Sequence, residues 1–163
     1  MSWRNPTEEE LAIRKQVLEE YPFLVSFDQW GKRISAPALG AKNIKRLLKH
    51  HYPTVKFDVK SDRYSGGSSI NIHWEIYGDA PSTKDVNRLV KHLFSYARFD
   101  GQTDTTEYDD DIYRNQFRYV FGDAAHVSAR GRDIEPEELA RRDQEKLQKQ
   151  TVAVTPARRG PRL

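Results

Sequence analysis

The run Arg63-Tyr64-Ser65-Gly66-Gly67-Ser68-Ser69 gathers residue types that can hold an oxyanion. Successive backbone N–H groups around two glycines can form an anion-binding nest, to which Arg63 and the serine hydroxyls would add donors. A phosphate-binding P-loop, however, ends in Gly-Lys-Ser/Thr at a helix start. Here an alternating apolar segment follows instead. The plainer reading is a hairpin connection in which glycine supplies a positive φ, though one longer and more polar than a tight turn needs.

Cationic side chains form a second set. Lys42, Lys45, Arg46 and Lys49 share one face of an expected helix, and Lys84, Arg88 and Lys91 share the face of another. Lys56 and Lys60 alternate along a strand between them. Several such contacts to a phosphate backbone give nucleic-acid affinity that weakens steeply with salt; the same charges are also what an ordinary solvated helix face carries. Tyr64, Tyr77 and Trp74 could stack bases on a sheet, but Trp74 is in phase with the isoleucines and reads as core.

Asn71, His73 and Glu75 lie on the outward face of the second strand, beside Lys56, Asp58 and Lys60. General acid–base chemistry needs a cleft and a perturbed pKa, and no spacing here specifies either. Asp100, Asp104, Glu107 and Asp109-Asp110-Asp111 form an acidic segment without the central-glycine spacing of a calcium loop. Such a segment is a solvated loop, a partner for the basic residues, or a mimic of a nucleic-acid backbone. Asp100 beside Gly101, near Arg98, fits a turn whose carboxylate bonds local backbone.

The elements that must position these groups are legible from periodicity. Thr7 with Glu10 makes a capping box for a helix over about 7–21, ended by Pro22. Phe23–Trp30 reads as a short strand or docking segment, and 31–37 as a turn and linker. A helix over 41–52 turns Ala41, Ile44, Leu47 and Leu48 to one face, and Pro53 stops it. Val55, Phe57 and Val59, then Ile70, Ile72, Trp74 and Ile76, alternate with polar residues, predicting strands over 54–61 and 69–77. Ser82 caps a helix over about 83–96. Thr105, Thr106 and Tyr108 suggest a short extended piece and Asn115–Phe121 a further strand. At least one of these should join the sheet, since two strands alone are marginal. Residues 122–131 read as irregular, 136–150 as a polar helix, and 151–163, with three arginines, as a disordered basic tail.

Composition narrows the class. At 37% apolar and 31% charged, a compact core should occupy only part of the 163 residues. No apolar run is long enough to span a membrane, and no secretion signal is expected at the N-terminus. With no cysteine, disulfides and thiol chemistry are excluded, and a cytoplasmic location is the natural expectation. The net charge of +3 is segregated: residues 41–95 carry ten basic and five acidic side chains, residues 96–123 three and seven. A basic unit is thus followed by an acidic segment.

From about Ala41 to Tyr108 the chain resembles a large polyvalent protein-associated domain, the twenty-ninth of its series. The residues that carry the resemblance are Tyr52-Pro53, Val55-Lys56-Phe57-Asp58-Val59, Arg63 to Ile70, Trp74, Arg98-Phe99-Asp100-Gly101, Asp104 and Glu107-Tyr108. The flanks 1–40 and 109–163 lie outside it. The resemblance implies cargo of a phage or conjugative element that counters host defences or prepares the host cell. It carries no established catalytic residues.

The expected fold is α+β: a compact helix–hairpin–helix-type unit with a small, mainly antiparallel sheet on two helices, plus helical N- and C-terminal extensions. The divisions are an extension and linker at 1–40, a core domain at 41–121, an irregular segment and polar helix at 122–150, and a tail at 151–163. The expected function is a non-enzymatic interaction protein that binds a host protein or protein–nucleic-acid complex. The alternative is direct binding of DNA or RNA. Candidate binding residues are Lys45, Lys49, Lys56, Lys60, Arg63, Tyr64, Ser65, Gly66, Gly67, Ser68, Arg88 and Arg98. No catalytic residue, metal ligand or cofactor is assigned, and the oligomeric state is left open.

Overall fold

The computed structural model describes residues 5–100 and 105–154, with residues 98–100, 105 and 151–154 as backbone only. The fold is α+β. One compact unit ends at Arg132 and a second begins at Asp133; the divisions expected at 40/41 and 121/122 both fall inside the first. No helix among the described residues is long and apolar enough to cross a membrane.

Helix α1 spans Glu8–Glu20 and has the expected capping box on Thr7. A helical turn, α2 (Phe27–Trp30), replaces the expected strand or docking segment. Ser26 and Gln29 form a second capping box there, and left-handed Gly31 (φ 72°) ends the turn. Helix α3 (Ala36–His51) begins five residues before the expected start, because Ser35 caps it and Pro37 occupies its first turn, where a missing N–H costs nothing. The segment read as a linker is therefore helix.

Strands β1 (Asp58–Tyr64) and β2 (Gly67–Ile76) form an antiparallel hairpin with Tyr64 opposite Gly67. The connection is thus a tight two-residue turn, Ser65-Gly66, and not the long elbow expected; Gly66 supplies the positive φ of 89° that such turns demand. Ser68, Ile70, Ile72 and Trp74 are buried on one face of β2. Helix α4 (Thr83–Phe94), capped by Ser82, follows as expected.

Two expectations fail after α4. Ile112–Phe121 is helix α5 and not a strand. Asp111 accepts from the Arg114 N–H as its N-cap, and Phe117, Arg118, Val120 and Phe121 are buried with helical spacing. The segment read as irregular contains strand β5 (His126–Asp133), which completes a three-stranded sheet in the order β1-β2-β5. Ser68 Oγ accepts from the Ala125 N–H (3.1 Å), and Gly131 lies against Ile76 and Trp74, so β5 runs parallel to β2. The extended piece at 105–108 exists as β4 (Thr105–Tyr108), but it pairs with β3 (Ala97–Asp100) as a separate antiparallel ribbon and not with the main sheet.

The free edge of β5 is met by α4. Asn87 donates to Ala129 O (3.1 Å) and accepts from Ala129 N (3.2 Å), while Thr83 Oγ1 accepts from Gly131 N (3.0 Å). Side chains thus take the place of a fourth strand and blunt the edge. At the core, Phe117 touches Tyr21, Phe94 and Phe121 edge-on, each at 5.1 Å, a favoured aromatic geometry. It joins α1, α4 and α5 in one cluster. Trp74 is core, as its phase predicts, with its indole N–H on Pro81 O at 2.9 Å.

The second unit carries α6 (Pro136–Val154), a polar helix as expected, with an i,i+4 pair between Glu138 and Arg142 (2.7 Å). The tail at 155–163, with Arg158, Arg159 and Arg162, lies outside the described residues.

Candidate binding cleft

Helix α5 ends in Gly122, at φ 91°, and packs against the first turn of α3 with no side chain between them. A Cβ on Gly122 would lie 2.5 Å from both Ala36 O and Gly40 N, and one on Gly40 would lie 3.1 Å from Asp123 N. The Asp123 N–H donates to Ala36 O (3.2 Å). Nearby, the buried amide of Asn43 binds Val25 N–H (2.9 Å), Val25 O (2.8 Å) and Phe121 O (2.8 Å), fixing the segment before α2 to the end of α5. Ala36 and Asp123, joined by these contacts, both line an open cleft of about 920 Å³. The lining comes from α1 (Arg14, Leu18), the α2 region (Ser26, Phe27, Asp28), Tyr96, Tyr108, Asp109, α5 (Asn115, Arg118, Tyr119, Val120) and Asp123.

Arg118 is the electrostatic centre beneath it. Its Nη1 donates to the carbonyls of His92, Leu93 and Ser95 at 3.1–3.4 Å, satisfying the end of α4, where unpaired carbonyls make a cation favourable. Its Nη2 donates to Asp109 Oδ2 (2.8 Å) and Asn115 Oδ1 (2.9 Å). Asp109 also accepts two hydrogen bonds from Arg114, at 2.6 and 2.9 Å. Arg114, with Arg118 adding to it, holds the Asp109 carboxyl well below the usual carboxylate range.

Asp123 behaves in the opposite way. Burial pushes its carboxyl up to about 6, only partly opposed by the charge of Arg118. Among the described residues no side chain donates a hydrogen bond to it. The aromatic walls are ordered by contacts of their own. Tyr96 and Tyr108 stack at 6.2 Å with planes 19° apart, and the Arg14 guanidinium sits 3.9 Å over the Tyr119 ring while its Nε donates to Gln116 (2.6 Å).

The residues singled out from the sequence lie elsewhere. Lys45 and Lys49 are exposed on α3, and Arg88 on α4. Lys56 precedes β1, and Lys60 stands opposite Asn71 on the sheet face away from Ile70 and Ile72, 3.8 Å from Asp58. Helix α3 packs on the other face, where Ile70 and Ile72 are buried, so the sheet separates Lys60 from the α3 lysines. Arg63, Tyr64, Ser65 and Gly66 are exposed at the hairpin tip. The Tyr64 ring folds back on Gly67, and Ser68 is buried and engaged with β5. The Arg98 and Asp100 side chains lie outside what the structure describes, as does Asp104 of the acidic segment. His73 is exposed opposite Asp58. No group of metal-ligating side chains comes together among the described residues.

A family model, large polyvalent protein associated domain 29, matches residues 36–133. The chain belongs to this family. The match runs from the first turn of α3 to the end of β5, beyond the 41–108 stretch that carries the resemblance in sequence. It takes in Gly40, Asp109, Arg118, Gly122 and Asp123, whereas the α1 and α2 side of the cleft precedes it. Neither a curated protein nor a solved structure matches the chain.

Proposed function

We propose that this member of the large polyvalent protein associated domain 29 family is a non-enzymatic interaction module of a phage or other mobile element. It acts in the cytoplasm of the infected or recipient cell. It binds a host protein or protein–nucleic-acid complex through the cleft and inhibits or redirects it. The supporting observation is the exposed rim: Tyr108 is 71% exposed, Tyr119 56% and Leu18 39%. Leu11, Arg14 and Leu18 fall on one stripe of α1 beside Tyr119. Tyrosine and arginine are among the residues enriched at interface hot spots.

Affinity capture from host lysate, with and without nuclease, tests this reading. The expected result is a stoichiometric protein partner that survives nuclease and is lost in the Tyr108→Ala/Tyr119→Ala double variant. Equal capture by that variant would exclude the cleft.

One observation favours direct DNA or RNA binding as a second reading. Lys45, Arg46 and Lys49 are exposed in a row on α3, and none takes part in an ion pair among the described residues. On this reading Lys45→Glu/Lys49→Glu weakens binding and lowers the salt slope by about one per phosphate contact removed. Unchanged affinity would rule that face out.

A further inference from the structure

We infer that the cleft receives a cationic side chain of the protein partner, an arginine or a lysine, with Asp123 as its counter-ion and Tyr96, Tyr108 and Tyr119 as its walls. This rests on the interaction function proposed above and names the chemistry that the site would recognise. Three observations carry it.

The first is an unbalanced carboxylate. Asp123 faces the cleft without a side-chain donor among the described residues. Arg118, whose charge acts on Asp123, spends Nη1 on three carbonyls and Nη2 on Asp109 and Asn115. A half-buried carboxylate left in this state gains most from a cation that arrives with its own donors.

The second is the wall. Tyrosine faces attract ammonium and guanidinium groups through the ring quadrupole, more strongly where water is partly excluded. Arg14 already lies on Tyr119 in this way, 3.9 Å from the ring centroid. Tyr108, stacked on Tyr96 and 71% exposed, leaves a face open to an incoming cation.

The third is the exclusion of an anion. Asp28 and Asp123 both line the cleft; of the arginines among the described lining residues, Arg118 is engaged as above, and Arg14 gives its Nε to Gln116 and its guanidinium plane to the Tyr119 ring. A phosphate would enter against two carboxylates.

The experiment uses the full chain and Nα-acetyl-arginine amide or Nα-acetyl-lysine amide as the probe, followed by amide chemical shifts. Saturable shifts at Tyr108, Asn115, Tyr119 and Asp123 are expected. Asp123→Asn should weaken the probe by about tenfold or more, as loss of one charge-assisted contact does. Tyr108→Ala, at a site too exposed to unfold the chain, should also weaken it. Any of the following overturns the inference: no saturable shift, equal affinity in Asp123→Asn, equal affinity for the uncharged Nα-acetyl-glutamine amide, or tighter binding of adenosine monophosphate in the same cleft. Capture separates the two levels. If Asp123→Asn retains the nuclease-resistant partner, the cation inference fails and the interaction function stands. If the wild-type chain captures no partner, the function fails and takes this inference with it.

Discussion

Arg118 Nη2 lies 2.8 Å from Asp109 Oδ2, and only 2% and 5% of the two side chains are exposed. Because the same guanidinium closes the end of α4, removing either partner strands polar groups that water reaches poorly. Arg118→Met should destabilise the fold by about 3–5 kcal/mol, the range for breaking a buried pair from one side. Asp109→Ala should cost a similar amount, since Arg118 would remain buried without its anion. The double variant should cost less than the sum of the singles. Urea unfolding of the three variants reads this directly, and strict additivity would show that the pair is not coupled.

Asp123 predicts a pH effect of unusual sign for a carboxylate. Its folded-state value is raised by burial from 3.8 to about 6. A raised value means that its contribution is full below the unfolded value and is lost as pH climbs through the folded one. The groups sharing its cleft are Arg118 and Asn115 from α5, Asp109, Arg14 from α1, and Asp28 from α2. Asp109 opposes the trend only at much lower pH, because its value is depressed. Raising the pH from 5 to 7.5 should therefore cost the wild type about 1–2 kcal/mol through Asp123. Asp123→Asn should lack that slope. Melting curves at the two pH values decide it, and parallel slopes would count against a raised carboxyl.

Gly122 is the position least able to accept a side chain. Its φ of 91° strains any L residue, and a Cβ would press on Ala36 O and Gly40 N at 2.5 Å. Both contacts are backbone and cannot swing aside. Gly122→Ala should cost about 2–4 kcal/mol, strain and overpacking together. It should also displace Asp123. Gly31→Ala, at a similar φ but with open space around it, should cost only about 1–2 kcal/mol. Chemical denaturation of both variants separates crowding from strain.

The α+β class, α1, α4, the hairpin and the polar α6 were legible because capping residues and apolar period agree there. Thr7 with Glu10 and Ser82 with Asp85 mark helix starts, and Ile70, Ile72 and Trp74 keep strict alternation. Helix α5 was misread as a strand because Phe117, Tyr119, Val120 and Phe121 are aromatic or β-branched types that favour sheets. Asp111 as N-cap and Gly122 at its end were the available counter-signal. Strand β5 was missed because its inward residues after Val127 are Ala129 and Gly131, too small to register as an apolar rhythm. The small size at 131 is required by Trp74 and Ile76 across the sheet. The cleft was not legible at all. Arg14, Asp28, Tyr96 and Asp123 are far apart along the chain, and only the packing of α1 and α3 on α5 brings them together.

The parallel pairing of β5 with β2 also orders events in time. Ser68 and Ala125, the contact that starts it, are 57 residues apart. As the nascent chain emerges, the hairpin can close within its own turn, while the hydrogen-bonding edge of β2 that β5 will take stays bare until everything through β5 has been made. Local contacts form quickly and distant ones wait, so the last strand synthesised is the neighbour of the middle one. A chain halted before His126 would therefore present an apolar central strand with one open side, the surface on which nascent chains stick to one another.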